Sequence, residues 1–244
     1  MSIIPPGLSR NLQFYLSGPL PCPYLPAQVE RKLFTRLDNE DSAANVAVNA
    51  ALCRAGFRRS HDVVYRPACN SCNACVPIRI PVDVFEPAQS FRRVVARNQD
   101  LHWQRRTALP DADLFALFSL YQNTRHSDSD MARMTYDDFV AMLVEGQADT
   151  HLYELRDGSG LLKGCMLADP VGDGFSAVYS FFAPQEPQRS LGTFMVLCLV
   201  EEAKKCDLPF VYLGYWVEAS RKMSYKSRFK PLQCLGANGW EWMP

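Results

Sequence analysis

THLYELR (150–156), LLKGCMLADP (161–170) and FSAVYSFFAP (175–184) are three runs rich in apolar and β-favouring residues. DGSG (157–160) and VGDG (171–174) separate them. Gly and Asp in these positions are turn chemistry, so the three runs predict an antiparallel meander. A long helix is expected over SLGTFMVLCLVEEAKKC (190–206), then a strand over PFVYLGY (209–215), a second helix over VEASRKMSYKSRF (217–229) and a last short strand near Trp240. Just upstream of the meander, DADLFALFSLYQ (111–122) and YDDFVAMLVEG (136–146, behind a Thr135 cap) read as amphipathic helices.

Two helices, a meander, a helix, a strand, a helix and a strand is the order of the acetyltransferase-like (GNAT) α/β fold. In that fold the loop before the long helix presents backbone amides to a phosphate. Here the loop is Gln188-Arg189-Ser190-Leu191-Gly192. A helix N-terminus with free N–H groups, a nearby Arg and a Gly permitting close approach can cradle an anion, and an ordinary capped helix is the plainer alternative. Arg189, Ser190 and Gly192 are therefore candidate donor-binding residues.

The N-terminal part reads differently. Prolines break up the arm ending in GPLPCPYLP (18–26). Ser42 is the expected cap of an alanine-rich helix running to Arg54 and stopped by Gly56. In VPIRIPVDVF (76–85), Ile78, Ile80, Val82 and Val84 alternate with polar or proline positions, as in a half-buried strand, and the prolines favour a sheet edge. Arg79 then faces away from the core. Ser90 is expected to cap a basic helix, FRRVVARNQDL (91–101), before LHWQRRT (101–107) extends. The overall expectation is an α/β (α+β) chain, with a small N-terminal domain (1–104) packed on the acetyltransferase-like domain (105–244).

Composition narrows the function classes. The chain has 244 residues, 26 of them Lys or Arg and 26 Asp or Glu, so the net charge is zero and no global field attracts nucleic acid. The charge is segregated instead. Arg92, Arg93, Arg97, Arg105 and Arg106 crowd one stretch, and Arg221, Lys222, Lys226, Arg228 and Lys230 another. The N-terminal ten residues show no secretory pattern, and the longest apolar run, Phe194 to Val200, is too short for a bilayer. Nine cysteines without a signal argue for thiols in a reducing cytoplasm. Cys69, Cys72 and Cys75 are spaced like metal ligands, and Cys22 would complete a four-thiolate site for zinc or an iron–sulfur cluster. Plain structural thiols are the alternative reading.

Two groups of residues carry a resemblance. The first is Tyr65-Arg66-Pro67-Ala68-Cys69 with Cys72 and Cys75, Pro77-Ile78-Arg79-Ile80, Phe85, Pro87, Ser90, Arg92 and Arg93. The second is Ser190-Leu191-Gly192, Tyr212-Leu213-Gly214-Tyr215-Trp216, Lys222-Met223, Tyr225-Lys226, Phe229 and Pro231. Together with the PCPYLP arm, Leu33-Phe34-Thr35 and Arg125-His126, these resemble the arginyl-tRNA–protein transferases, and among them the bacterial branch that transfers leucine to proteins beginning with Asp or Glu. Phe91 stands where a glutamine is expected and Phe182 where a tyrosine is usual.

The resemblance implies aminolysis of an aminoacyl ester: leucyl-tRNA is the donor, an N-terminal Asp or Glu protein the acceptor, and the product is marked for N-degron proteolysis. No cofactor is required for that chemistry, and no membrane is involved. An α-amino group is partly neutral near pH 8, so alignment and oxyanion donors can carry much of the rate. Of Tyr179, Tyr212, Tyr215 and Tyr225, the expected cleft residues are Tyr212 and Tyr215. An arginine suits an acidic side chain, with Arg79 first and Arg66 second. Arg92, Arg93 and Arg97 suit tRNA phosphates. Lys222 and Lys226, four apart on the expected helix, would meet the tRNA end or the acceptor carboxylate. Arginyl-tRNA as donor, acetyl-CoA-dependent acetyl transfer, and a non-catalytic binder of acidic N-termini are the rival readings.

Overall fold

The computed structural model describes residues 12–37, 41–107, 109–144 and 148–243. The N-terminal ten residues and the Glu145-Gly146 end of the second amphipathic run lie outside the described residues. The N-terminal part contains β1 (Tyr15–Leu16), β2 (Leu20–Pro21), β3 (Val29–Glu30), β4 (Lys32–Arg36), α1 (Ser42–Arg54), β5 (Arg58–Ser60), β6 (Val63–Pro67), β7 (Val76–Pro81), α2 (Gln89–Arg97) and β8 (His102–Arg106). The rest contains α3 (Ala112–Arg125), α4 (Tyr136–Val144), β9 (His151–Arg156), β10 (Leu162–Pro170), β11 (Gly174–Phe182), α5 (Leu191–Lys205), β12 (Phe210–Trp216), β13 (Gln233–Gly236) and β14 (Gly239–Trp242).

Strands β9, β10 and β11 form the expected antiparallel meander, and α5 crosses over to bring β12 in parallel to β11. They belong to an eight-stranded sheet of order β14-β13-β7-β12-β11-β10-β9-β8. Side chains alternate across it. Met166 and Ala168 of β10 and Val211 and Leu213 of β12 face α2 and α5. Cys165 and Leu167 face α3 and α4. The sheet is therefore buried on both sides, which is why these strands read as nearly continuous apolar runs. A smaller sheet, β1-β4-β6-β5, packs on α1 through Val48, Leu52, Phe57 and Val64.

Four expectations change here. β7 is an interior strand, paired with β12 on one side and β13 on the other. Its prolines, Pro77 and Pro81, sit towards the strand ends, where a missing N–H costs little, and Arg79 between them is buried. A division at residue 104 cuts β8 and parts β7 from both its neighbours. The expected helix at 217–229 is turns and a single 3-10 segment, Ser224–Arg228. The caps also shift: Asp41 accepts the Ala44 N–H at the start of α1, and α2 starts behind Ala88 with no side-chain cap, placing Ser90 inside it. Thr135 does cap α4, exchanging hydrogen bonds with Asp138 as a capping box.

Candidate functional site

β11 and β12 pair only from Gly174 to Ser176 and from Phe210 to Tyr212. Beyond that they part. Each strand carries an extra residue near the parting, Val178 where β11 pairs with β10 and Leu213 where β12 pairs with β7. Such bulges bend a strand out of its ladder. The wedge opens into a cavity of about 970 Å³.

Parting strands leave backbone carbonyls without their ladder donors, and two cations take them. Arg58 Nη2 donates to Ala177 O (2.9 Å) and Val178 O (2.7 Å) on the β11 edge. Lys226 Nζ donates to Leu213 O (2.8 Å) and Tyr215 O (2.7 Å) on the β12 edge. Lys226 is half-buried, with its ammonium against the sheet edge. Burial first, and then the charge of Arg58, bring its pKa down to about 7. Arg59, beside Arg58, makes a buried fork to Asp169 (2.6 and 2.9 Å), which also accepts from Asn49 and Thr150.

The loop before α5 forms another wall. Ser190, Gly192 and Thr193 line the cavity at the helix N-terminus. Ser190 sits at φ 54° and makes no side-chain cap. The first-turn amides of α5 thus lack intrahelical acceptors and lie at the cavity wall. Gly192 is dictated by its neighbour, since a Cβ there would stand 2.9 Å from the Phe182 ring. Arg189 does not reach into the cavity. Its fork grips Asp100 (2.8 and 2.9 Å) and its Nε donates to Glu186 (2.6 Å), so it holds the loop in shape.

At the other end, Arg125, His126, Arg221 and Lys222 line the cavity. Burial, then Lys222 and Arg125, lower the His126 pKa, which keeps this imidazole neutral near pH 7. Arg125 lies 5.7 Å from the Phe182 ring, and Tyr121 packs on the same ring at 4.9 Å. Tyr179 accepts a hydrogen bond from Gln122 (2.5 Å), and burial pushes its hydroxyl up to about 12.

The expected site residues divide. Tyr215 lines the cavity, but its hydroxyl donates to backbone, with Gly56 O at 2.9 Å and Tyr65 O at 3.1 Å. Burial and Tyr65 raise its pKa far above the usual tyrosine value, which leaves it a structural donor. Tyr212 and Arg79 do not line the cavity. Arg79 lies 3.4 Å from the Phe210 ring and 4.4 Å from Trp240, donates to Gln233, and donates to Tyr212 Oη, which itself donates to Asp173. The rings cover this guanidinium and its Nε and Nη1 are both engaged, which leaves little of it for a carboxylate. Arg66 lies against Phe57 on a second cavity of about 680 Å³. Lys222 and Lys226 both reach the main cavity, Lys222 from a turn and Lys226 from the short 3-10 segment, so they do not share an α-helix face. Arg92, Arg93 and Arg97 lie exposed on α2, and Arg97 donates to Gln188 O beside the α5 loop. Phe91 is core, stacked on Phe229 at 4.7 Å.

The second cavity gathers Cys22, Cys69, Cys72 and Cys75. Burial, with the neighbouring thiols Cys22, Cys69 and Cys72, pushes the Cys75 pKa up to about 11. A cation among these thiols would relieve that mutual repulsion, so the donor set fits a thiolate-bound metal. Among the described residues no group of three His, Cys, Asp or Glu side chains already stands in ligating geometry.

A family model described as arginine-tRNA-protein transferase, C terminus, matches residues 113–236, and its N-terminus counterpart matches residues 20–93. The chain belongs to the arginine-tRNA-protein transferase family. A relative from Paramagnetospirillum magneticum, named aspartate/glutamate leucyltransferase, is 50% identical over 234 residues, 96% of this chain and 95% of that one. Relatives of the same name from Maricaulis maris and Parvibaculum lavamentivorans are 45% and 47% identical, each over 236 residues; both matches cover 97% of this chain, and 92% and 97% of the respective relatives. In this transferase the two matched segments meet in one sheet, because β7 comes from the first and β12 and β13 from the second.

Proposed function

We propose that this transferase moves leucine from leucyl-tRNA to the α-amino group of proteins that begin with Asp or Glu, marking them in the cytoplasm for N-degron proteolysis. One observation carries the reading. The parted strands open a single cavity with helix amides at one wall and the cations Arg125, Arg221 and Lys222 at the other, none of them in an ion pair among the described residues. The tRNA 3′ end brings phosphates and the acidic N-terminus a side-chain carboxylate, and each finds a complement there. The names of the relatives supply the amino acid and the acceptor class. No helix among the described residues is long and apolar enough to cross a membrane.

In this reading the amides of α5 face the tRNA 3′ end, the exposed arginines of α2 extend the contact along the acceptor stem, and Arg125 and Lys222 read the acidic side chain. Cys22, Cys69, Cys72 and Cys75 are the residues that would hold zinc or an iron–sulfur cluster. Such a group would tie the proline-rich arm to the loop between β6 and β7.

The test incubates the protein with charged tRNAs or with acetyl-CoA, and with peptides that start with Asp, Glu or Ala, and reads products by mass spectrometry. A gain of one leucine residue on the Asp and Glu peptides is expected. A gain of arginine alone, or of an acetyl group from acetyl-CoA, overturns the assignment.

A further inference from the structure

Lys226 is tied into the sheet yet faces the cavity in which the ester and the amine must meet. Its two contacts go to carbonyls, which only accept. A neutral amine has two N–H bonds and one lone pair. With both N–H bonds given to Leu213 O and Tyr215 O, the lone pair is left over and its direction is set by the two anchors. An exposed lysine would have neither the fixed direction nor a reason to be neutral.

We infer that Lys226 accepts the proton that the acceptor's α-ammonium must lose before it can attack the ester. This rests on the main cavity being the aminoacyl-transfer site. The ammonium gives one N–H proton to the Nζ lone pair and becomes an amine. The amine's electron pair attacks the leucyl carbonyl carbon, and the C=O π pair moves onto oxygen. That pair then returns, the C–O bond to the ribose breaks, and the ribose oxygen leaves with a second proton from the attacking nitrogen. Lys226 returns its own proton to water, which accounts for the single proton the reaction releases.

The surroundings favour the neutral form of Lys226. Arg58 reaches it from β5, Arg221 and Lys222 lie on the turn before it, Arg125 and His126 come from the end of α3, and burial raises the hydroxyls of Tyr121, Tyr215 and Tyr225, which keeps them neutral near pH 7. The carboxylate on the cavity wall, Glu186, is engaged by Lys163 and Arg189. No carboxylate pairs with Lys226 among the described residues. Burial and Arg58 act in the same direction, and a base poised near the working pH is the most effective one.

The experiment has two parts. Lysine-selective ¹³C NMR of the wild-type protein, without substrate, should show one side chain titrating near pH 7, absent from the spectrum of Lys226→Arg. The arginine keeps both hydrogen bonds and the charge but cannot become neutral, so its kcat should fall by about 100-fold or more while leucyl-tRNA affinity stays within about threefold. The acid limb of wild-type kcat should share the NMR midpoint. A Lys226 signal titrating near 10, or Lys226→Arg with kcat within about threefold of wild type, overturns the inference. Should Lys226→Arg fail to fold, the wild-type titration decides alone. A wild-type protein that transfers no leucine overturns the proposed function instead, and the lysine titration is still read without it.

Discussion

The Arg58 guanidinium lies against the Cα of Gly214, so closely that a side chain at 214 would occupy the same space. Gly214 also has φ +70°, in the left-handed region. The glycine within YLGYW is thus fixed twice, by its own backbone and by a cation from β5. Gly214→Ala should cost about 1–2 kcal/mol for the backbone alone and should push Arg58 off the Ala177 and Val178 carbonyls. A Tm lowered by several degrees and transfer reduced at least about tenfold are expected, measured by thermal unfolding and peptide transfer. Unchanged transfer would show that Arg58 does not shape the cleft.

Arg79 should matter for stability and not for acceptor choice. Arg79→Met keeps apolar bulk between Phe210 and Trp240 but strips a donor from Gln233 and from Tyr212. A loss of about 1–3 kcal/mol in chemical denaturation is expected, with acceptor KM within about twofold. Arg125→Ala and Lys222→Ala should each raise the KM for Asp- and Glu-starting peptides about tenfold. The reverse pattern would return the acidic side chain to Arg79.

Salt dependence separates the arginines around the α5 loop. Arg92, Arg93 and Arg97 are exposed on α2, so removing each should lower the slope of log affinity for leucyl-tRNA against log salt by about one. Arg189 is held by Asp100 and Glu186. Arg189→Ala should weaken tRNA binding by loosening the loop, with the slope unchanged. A slope change for Arg189→Ala equal to that for Arg93→Ala would make it a direct phosphate ligand.

The same clamp should give the protein an acid-sensitive contact. Hydrogen bonds from Lys163 and Arg189 hold the Glu186 carboxyl below the usual carboxylate range. Its folded pKa lies below its unfolded one, near 4.3, so the stabilisation is complete above about 4.3 and is lost as pH falls from there through the folded value. Glu186→Gln lacks that titration. The Tm difference between wild type and variant should therefore shrink between about pH 5 and pH 3. A constant difference would mean that the clamp is not electrostatic.

Protein purified without oxygen should carry about one zinc ion or one cluster per chain, bound by Cys22, Cys69, Cys72 and Cys75. Serine at all four should release it and lower the Tm. Active protein free of zinc and iron by elemental analysis would rule the metal out.

The meander, α5 and β12 were legible because turn residues and apolar runs are local signals. The helix expected at 217–229 was not, because Lys226 leaves the pattern to bond β12, and Met223 and Phe229 are buried from a turn. The edge assignment of β7 weighed its prolines without their positions in the strand. At the site, the α5 loop could be read from Ser190 and Gly192. Arg58 could not, since its partners Ala177 and Val178 lie in another part of the chain and nothing around FRRS announces them. Tyr212 was misplaced for a related reason: alternation across the sheet puts it with Asp173 and Arg79, on the face away from α5.

The interior position of β7 also sets a timetable for the nascent chain. Pro81 pairs with Phe210 and Ile78 with Cys234, so β7 leaves the ribosome long before either partner strand exists. During that interval an apolar strand with two open edges must wait, the kind of species that aggregates or needs a chaperone. Pairings this distant in sequence also slow folding, because the long loop must close before any contact rewards it. β13 and β14 complete the sheet, so residues up to 242 must be made before the first strands of that sheet can settle.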